Sequence, residues 1–425
     1  MTKVAIVLTL KKLPMKKHII IFIVGCLLLA SACKKKNTTE DATETPGTGS
    51  PSSVETLPPN SSYKPAFEGQ TRVAAVKTKT AFRATVLTSS LTAPWGLAVL
   101  PDGRFLITEK AGTMRLVTST GQVSSPLANL PAVNAAGQGG LLGLCIDPAF
   151  STNRMVYWSF SERGSNGNVL AVAKGRLATN ETGLENVTVI YRATPAYTGA
   201  NQYGSRVIFD RTGNLFVSSG DRSDPGIRVQ AQDANSAIGK IIRITTEGQP
   251  ASGNPFIGQA NTRPEVYSLG HRNEHGLVIH PVTGDLWEGE LGPRGGDEIN
   301  IIKPGANYGW PVITYGIDYS GQPIGNAIQQ QTGMEQPIYY WDPVISPSGM
   351  TFYKGNRIPE WENNLFVCAL SGMHIDRLVI ANNKVTGEER LLVSEAQRFR
   401  DITQGTDNAL YAITDQGKLY RIDRD

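Results

Sequence analysis

Residues 275–290 read HGLVIHPVTGDLWEGE. Two apolar runs flank a turn containing Thr-Gly-Asp, which is strong hairpin chemistry. The same plan recurs along the chain. It returns at 95–109 (WGLAVLPDGRFLITE), 141–161 (LLGLCIDPAFSTNRMVYWSFS) and 205–220 (SRVIFDRTGNLFVSSG). It appears again at 349–370 (GMTFYKGNRIPEWENNLFVCAL) and 400–414 (RDITQGTDNALYAIT). Helical periodicity is scarce from Phe82 onward. Six strand pairs about 45–75 residues apart suit a radial array of four-stranded sheets, each too small to bury its own faces. The expectation is an all-β chain, a six-bladed β-propeller over residues 67–425. A β-sandwich would show shorter and more even strand spacing. Segments 82–91 and 418–422 should share one blade and close the ring, which removes an exposed sheet edge.

Outward from 275–290, the stretch 267–311 places four polar loops between strand candidates: Gly270-His271-Arg272-Asn273, residues 292–298, residues 305–307 and Tyr308-Gly309-Trp310-Pro311. Loops rich in Gly bring backbone close to a ligand, and loops on a rigid scaffold carry function. Arg272, Arg398 and Arg400 come from different repeats. Arg398 and Arg400 are two apart and so point to one side of a strand. Three arginines meeting in one channel would form an anion site suited to a polycarboxylate, since guanidinium pairs carboxylates with two parallel hydrogen bonds. The competing expectation is that each is an inter-blade salt bridge. Asp297-Glu298 after Gly-Pro-Arg-Gly-Gly suggests a hard cation bound through oxygen. No Cys/His cluster suits zinc, and no P-loop, GxSxG or dinucleotide fingerprint occurs in this part.

Lys11, Lys12, Lys16 and Lys17 precede the apolar run 19–32, shorter than the roughly 20 residues of a membrane span. The run ends Leu29-Ala30-Ser31-Ala32-Cys33. Residues 1–32 thus resemble a bacterial lipoprotein signal, with Cys33 as the lipidated first residue of an exported, envelope-anchored chain. A cleaved secretory signal with Cys33 incidental is the alternative. Loss of residues 1–32 removes five Lys and no acid, so the formal charge falls from +4 to −1. Nucleic-acid binding then has no electrostatic support. Residues 33–66 offer almost nothing to bury and are expected to form a disordered tether. Cys145 and Cys368 sit in apolar runs and read as buried thiols, with a disulfide open.

The motifs PWGLAVLPDGRFLITEKAG, GQGGLLG, GHRN, GPRGGDEIN, NYGWP, SGMTFY and QRFRD occur in that order between residues 94 and 401. Through them the chain resembles the soluble PQQ-dependent aldose sugar dehydrogenases, the glucose/sorbosone dehydrogenase family, over about residues 93–422. The resemblance implies a six-bladed propeller that binds PQQ, a tricarboxylate quinone, together with calcium, and oxidises an aldose at its anomeric carbon. Gln138, Arg272, Asn273, Tyr319, Arg398 and Arg400 would contact PQQ. The Gly292 and Pro293 carbonyls would hold calcium beside the quinone, while Glu298 and the Tyr308 carbonyl correspond to a further calcium position.

Three positions depart from the family pattern. Gln202 stands where the family has its base His, and a neutral amide cannot hold a proton near neutral pH. Leu291 replaces a polar residue before Gly-Pro. Ser371 stands where relatives carry a Lys toward the cofactor. Two hypotheses follow. One is an active PQQ-dependent dehydrogenase using His275, Asp221 or a calcium-bound water as base. The other is a non-catalytic propeller that binds a sugar or an anionic ligand.

Overall fold

The computed structural model describes residues 52–425; the signal, Cys33 and the first part of the tether lie outside the described residues. Six antiparallel sheets form the blades. The first holds Pro94–Val99, Phe105–Glu109 and Thr113–Val117, and the second Leu141–Ile146, Met155–Gly164, Gly167–Leu177 and Leu184–Arg192. The third holds Gly204–Phe209, Leu215–Ser219, Lys240–Ile244 and Val266–Leu269. The fourth holds Glu274–Ile279, Leu286–Glu290, Asp297–Ile302 and Tyr339–Trp341. The fifth holds Pro347–Phe352, Leu365–Ala369, His374–Ala381 and Lys384–Leu391. The sixth pairs Phe399–Gln404, Leu410–Thr414 and Leu419–Arg424 with Phe82–Thr88 from the other end of the chain.

Each of the six sequence repeats is the innermost strand of a blade plus its hairpin partner. The six innermost strands touch one another in sequence, and Phe399–Gln404 meets Pro94–Val99 to complete the circle. The terminal strands close the last blade as expected, Phe82 opposite Arg424 and Ala84 opposite Ile422. One expectation of regularity fails: the first blade has three strands. After Val117 the chain meets Pro126 and Pro131, which cannot donate into a ladder. Only isolated bonds reach back, Ser124 N to the Leu116 carbonyl and Leu127 N to that of Met114.

Each of the six seams between neighbouring blades carries its own apolar cluster. Five seams bury nine to sixteen apolar residues; that between the third and fourth blades buries six. Close approach of the inner strands explains a glycine repeated at their third position. A Cβ at Gly96 would fall 2.8 Å from the Leu142 carbonyl of the next blade, and one at Gly276 2.8 Å from that of Ser348. The equivalent positions of the third and sixth blades carry Arg206 and Asp401. They form a buried ion pair across the hub, Nη1 to Oδ2 2.7 Å.

Residues 52–66 correct the tether expectation, because this part is tied to the propeller. Glu55 accepts from Arg390 Nη2 at 2.8 Å, and Asp342 receives both the backbone and side-chain amides of Asn60 and the Ser61 amide and hydroxyl. Arg72 bonds the carbonyls of Leu57 and Asp342. Composition missed this strap because polar groups, not apolar burial, hold it down. Cys145 and Cys368 are free thiols in separate blades.

Candidate active site

At one end of the hub lies a cavity of about 460 Å³ lined by Trp95, Lys110, Gln138, His275, Tyr319, Ser346, Arg398, Arg400 and Asp415. Arg398, just before the innermost strand of the sixth blade, and Arg400, its second residue, both line the cavity, as their spacing suits. The structure departs from the expectation of freely available guanidiniums. Both arginines bond the Asp415 carboxylate, Nε to oxygen 2.9 and 2.8 Å. Burial alone would raise the Asp415 carboxyl, but Arg400 and Arg398 hold it below its ordinary range. The pairs lie within one blade, so the inter-blade alternative fails as well. Lys110 adds a third cation and donates to the Gly137 carbonyl at 2.6 Å. Three cations against one carboxylate leave the lining positive.

Arg272, Asn273 and Gln202 form the wall behind. Arg272 Nη1 donates to the carbonyls of Leu291 and Gly292, both at 2.7 Å, and Nη2 lies 3.4 Å from the Tyr319 hydroxyl. Tyr319 is 70% exposed at the mouth. Arg272 Nε and Asn273 Nδ2 are buried donors without a partner. Gln138 Oε1 accepts from Gln202 N at 2.7 Å. With its side-chain amide turned so that the nitrogen faces Asp221 Oδ1, Gln202 donates there and its oxygen accepts from Arg272 Nη2 at 2.9 Å. Asp221 is fully buried, also accepts from Trp310 Nε1, and is pushed by burial to about 6. It therefore stands behind Gln202 and does not line the cavity. Ser371 reaches the rim through Ser346, hydroxyl to hydroxyl 2.8 Å.

His275 is the titratable ring on the cavity wall. It packs edge-on against Trp95, centroids 5.6 Å apart, with Nδ1 3.5 Å from Arg400 Nη1. Burial first, then Arg400 and Arg206, hold its pKa well below the ordinary value, so the ring is neutral at neutral pH.

The residues expected to hold calcium gather at one place. Gly292, Pro293, Glu298 and Tyr308 line a small cavity of about 10 Å³, room for a single water-sized particle. Glu290 and Arg272 line it too. Asp297, next to the expected ligand Glu298, is otherwise engaged: its carboxylate ties down the amides of Gly292, Ile345 and Ser346.

Lys110, Trp95 and Asp415 are site residues that sequence reasoning missed. Lys110 lies inside the quoted motif ending ITEKAG, so its signal was available. Asp415 sits in a Thr-Asp-Gln-Gly turn that reads as ordinary hairpin chemistry.

The sequence profile described as glucose/sorbosone dehydrogenase matches residues 91–421. The chain is 39% identical over 342 residues to the aldose sugar dehydrogenase YliI of Escherichia coli, covering 79% of this chain and 91% of that protein. A crystal structure of a glucose dehydrogenase superposes with a TM-score of 0.77 at 43% identity, covering 81% of this chain and 99% of that one. The PQQ-bound aldose sugar dehydrogenase of Streptomyces coelicolor gives a TM-score of 0.67 at 27% identity, over 82% of this chain and all of that one.

Proposed function

The chain belongs to the glucose/sorbosone dehydrogenase family, and from that membership we propose that it is a PQQ-dependent oxidoreductase of aldose sugars in which His275 takes the proton. The observation that carries the reading is the positively lined hub cavity. It offers Lys110, Arg398, Arg400 and Gln138 to an anionic, planar guest, with the unpartnered donors of Arg272 and Asn273 behind it. These features fit a tricarboxylate. When bound, PQQ supplies a quinone that accepts hydride.

This chain's own residues then do three things. The arginines and Lys110 neutralise and orient the guest. Tyr319, exposed at the mouth, covers it from solvent. His275 accepts the proton of the sugar's anomeric hydroxyl, because it is the neutral imidazole that reaches the cavity. Burial holds the His275 pKa down first; an anionic guest on Arg400 offsets only the smaller part that this cation contributes.

The two calcium positions differ in fit. At the Gly292 carbonyl a guanidinium nitrogen of Arg272 already stands where a cation would sit, so the residues there do not fit an ion. The Glu298 carboxylate and Tyr308, both on the small cavity, suit an oxygen-bound ion such as calcium. Gln202, locked between Asp221 and Arg272, favours the second reading, a propeller that binds without turnover.

One experiment separates the two. The purified chain is mixed with PQQ and calcium and supplied with a panel of aldoses and an artificial electron acceptor. Dye reduction supports the dehydrogenase; tight PQQ binding without reduction supports the binder. Failure to bind PQQ overturns the cavity assignment. The export reading belongs to the same proposal: lipid on Cys33 would hold the propeller at the envelope. Cys33→Ser should move the protein from the membrane fraction to the soluble one.

A further inference from the structure

We propose a second, closed metal site between the third and fourth blades, in which His271, Glu288 and Glu290 hold a divalent first-row transition ion. The seam there is the least apolar of the six, with six buried apolar residues. What replaces the missing apolar surface is a sheet of carboxylates. Glu274, Glu290 and Glu298 lie directly opposite one another on three adjacent strands, and Glu288 lies opposite Asn300 in the next row. Glu274 and Glu288 are 0% exposed, Glu290 4% and Glu298 8%. Carboxylates withdrawn from water need a counter-charge or a full set of donors. Few are present. Glu290 Oε2 accepts from Arg272 N, and Asn300 Nδ2 reaches Glu288 at 3.1 Å and Glu298 at 3.3 Å.

The independent observation is the imidazole. His271 is 0% exposed, and its Nε2 lies 2.8 Å from the buried Ser268 hydroxyl. Donation from Nε2 to that hydroxyl leaves Nδ1 as a bare lone pair, the outer-shell arrangement that metal-binding histidines use. Nδ1 makes no hydrogen bond and lies 3.8 Å from Glu290 Oε1, and neither Glu288 Oε1 nor Asn300 Oδ1 is hydrogen-bonded. Stacking on Tyr308, ring centroids 4.8 Å apart, holds the ring in place. One donor atom from each of His271, Glu288 and Glu290 lies within 4.8 Å of the others. A first-row ion holds its donors at about 2.0–2.2 Å, so they span at most about 4.4 Å across it. Side-chain motion alone closes that difference.

The ligand set decides the ion. Calcium takes six to eight oxygens, whereas one imidazole with two carboxylates suits zinc, manganese, iron or cobalt. The site shares Glu290 with the small cavity at Glu298 and Tyr308 and differs from that all-oxygen position by its imidazole and by Glu288. It is remote in role from the hub cavity and does not depend on PQQ.

Cobalt(II) is the probe. The full chain is stripped with a chelator, saturated with calcium, and titrated with Co2+ while the visible d–d bands are followed. The expected result is one Co2+ per chain that calcium does not displace, with a thermal midpoint rising as free Co2+ rises. Glu288→Gln should weaken that binding by at least about 100-fold. Co2+ that calcium displaces, or that Glu288→Gln leaves unchanged, would overturn the site. If the variant does not fold, the wild-type midpoint still decides: no rise with Co2+ in the presence of calcium ends the proposal.

Discussion

Gln202 and His275 divide between them two properties that a proton acceptor needs. Gln202 has the support, held by Asp221 on one side and Arg272 on the other, but no basicity. His275 has the basicity and reaches the cavity, but Arg400 stands beside its ring. His275→Asn should therefore lower kcat by about 10²- to 10⁴-fold, the usual worth of a general base, with PQQ affinity changed only a few-fold. Equal losses in affinity and rate would place His275 in binding alone. The pH dependence has a fixed sign. Protonation removes the base, and burial with Arg400 and Arg206 depresses its pKa, so the acid limb of activity should lie at or below pH 6.5. Gln202→His tests the other half. An imidazole there would donate one nitrogen to Asp221 and turn the other outward, so turnover should rise in the variant if wild-type rates are limited by the base. Much at this scale was legible: Gln138, Tyr319, Arg398 and Arg400 line the cavity, and the wall residues Arg272 and Asn273 stand behind them. What was not legible was pairing. No spacing rule connects Asp415 to two arginines some 15 residues upstream until the hairpin of the sixth blade brings them together.

Among the elements, hairpins spoke plainly and the strap did not. Turn chemistry and apolar runs fix a hairpin within about 15 residues of sequence, so each inner strand and its partner could be read locally. Residues 52–66 owe their order to Asp342 and Arg390, about 280 and 335 positions away, and no local pattern carries that. Beneath the strap, the two outer strands of the fifth blade hide an acid pair. Glu388 is pushed to about 8 and Asp376 to about 6, in both cases first by burial. Glu388 accepts from the Tyr339 hydroxyl. An acid whose pKa is raised on folding keeps its proton in the native state while the unfolded chain has lost it. The native state thus binds more protons between about pH 4.5 and 8, and stability falls as pH rises through that window. Glu388→Gln keeps an acceptor for Tyr339 and removes the titration. Its thermal midpoint should match wild type near pH 5 and exceed it at pH 8.5 by at least about 2 °C. Parallel curves across that range would show that Glu388 does not titrate as described.

Across the whole molecule, the ring imposes conditions that no single blade shows. Four inner strands place glycine at equivalent positions (Gly96, Gly143, Gly276 and Gly349), which lets neighbouring backbones approach. The two exceptions are Arg206 and Asp401, three blades apart, and only a closed ring of six brings positions three blades apart face to face. The repeat alignment contained this pair, since both residues stand where the other copies have glycine. Reading it required the ring geometry first. Asp401 also accepts from Leu97 N, and Arg206 Nε donates to the His275 carbonyl, so the pair ties four blades together below the cavity. Arg206 additionally stacks on Trp95, 4.7 Å from the ring, and so supports the wall that His275 packs against. Removing one partner of a buried pair strands the other charge, which costs about 3–5 kcal/mol. Arg206→Ala should lose stability on that scale in denaturant unfolding. Arg206→Met combined with Asp401→Leu removes both charges at similar volume and should recover most of it, because an apolar pair needs no counter-charge. If the single substitution costs less than about 1 kcal/mol, the hub is held by the six apolar seams alone and the ion pair is incidental. If the double variant stays as unstable as the single, the bonds to Leu97 and His275 matter more than the charge.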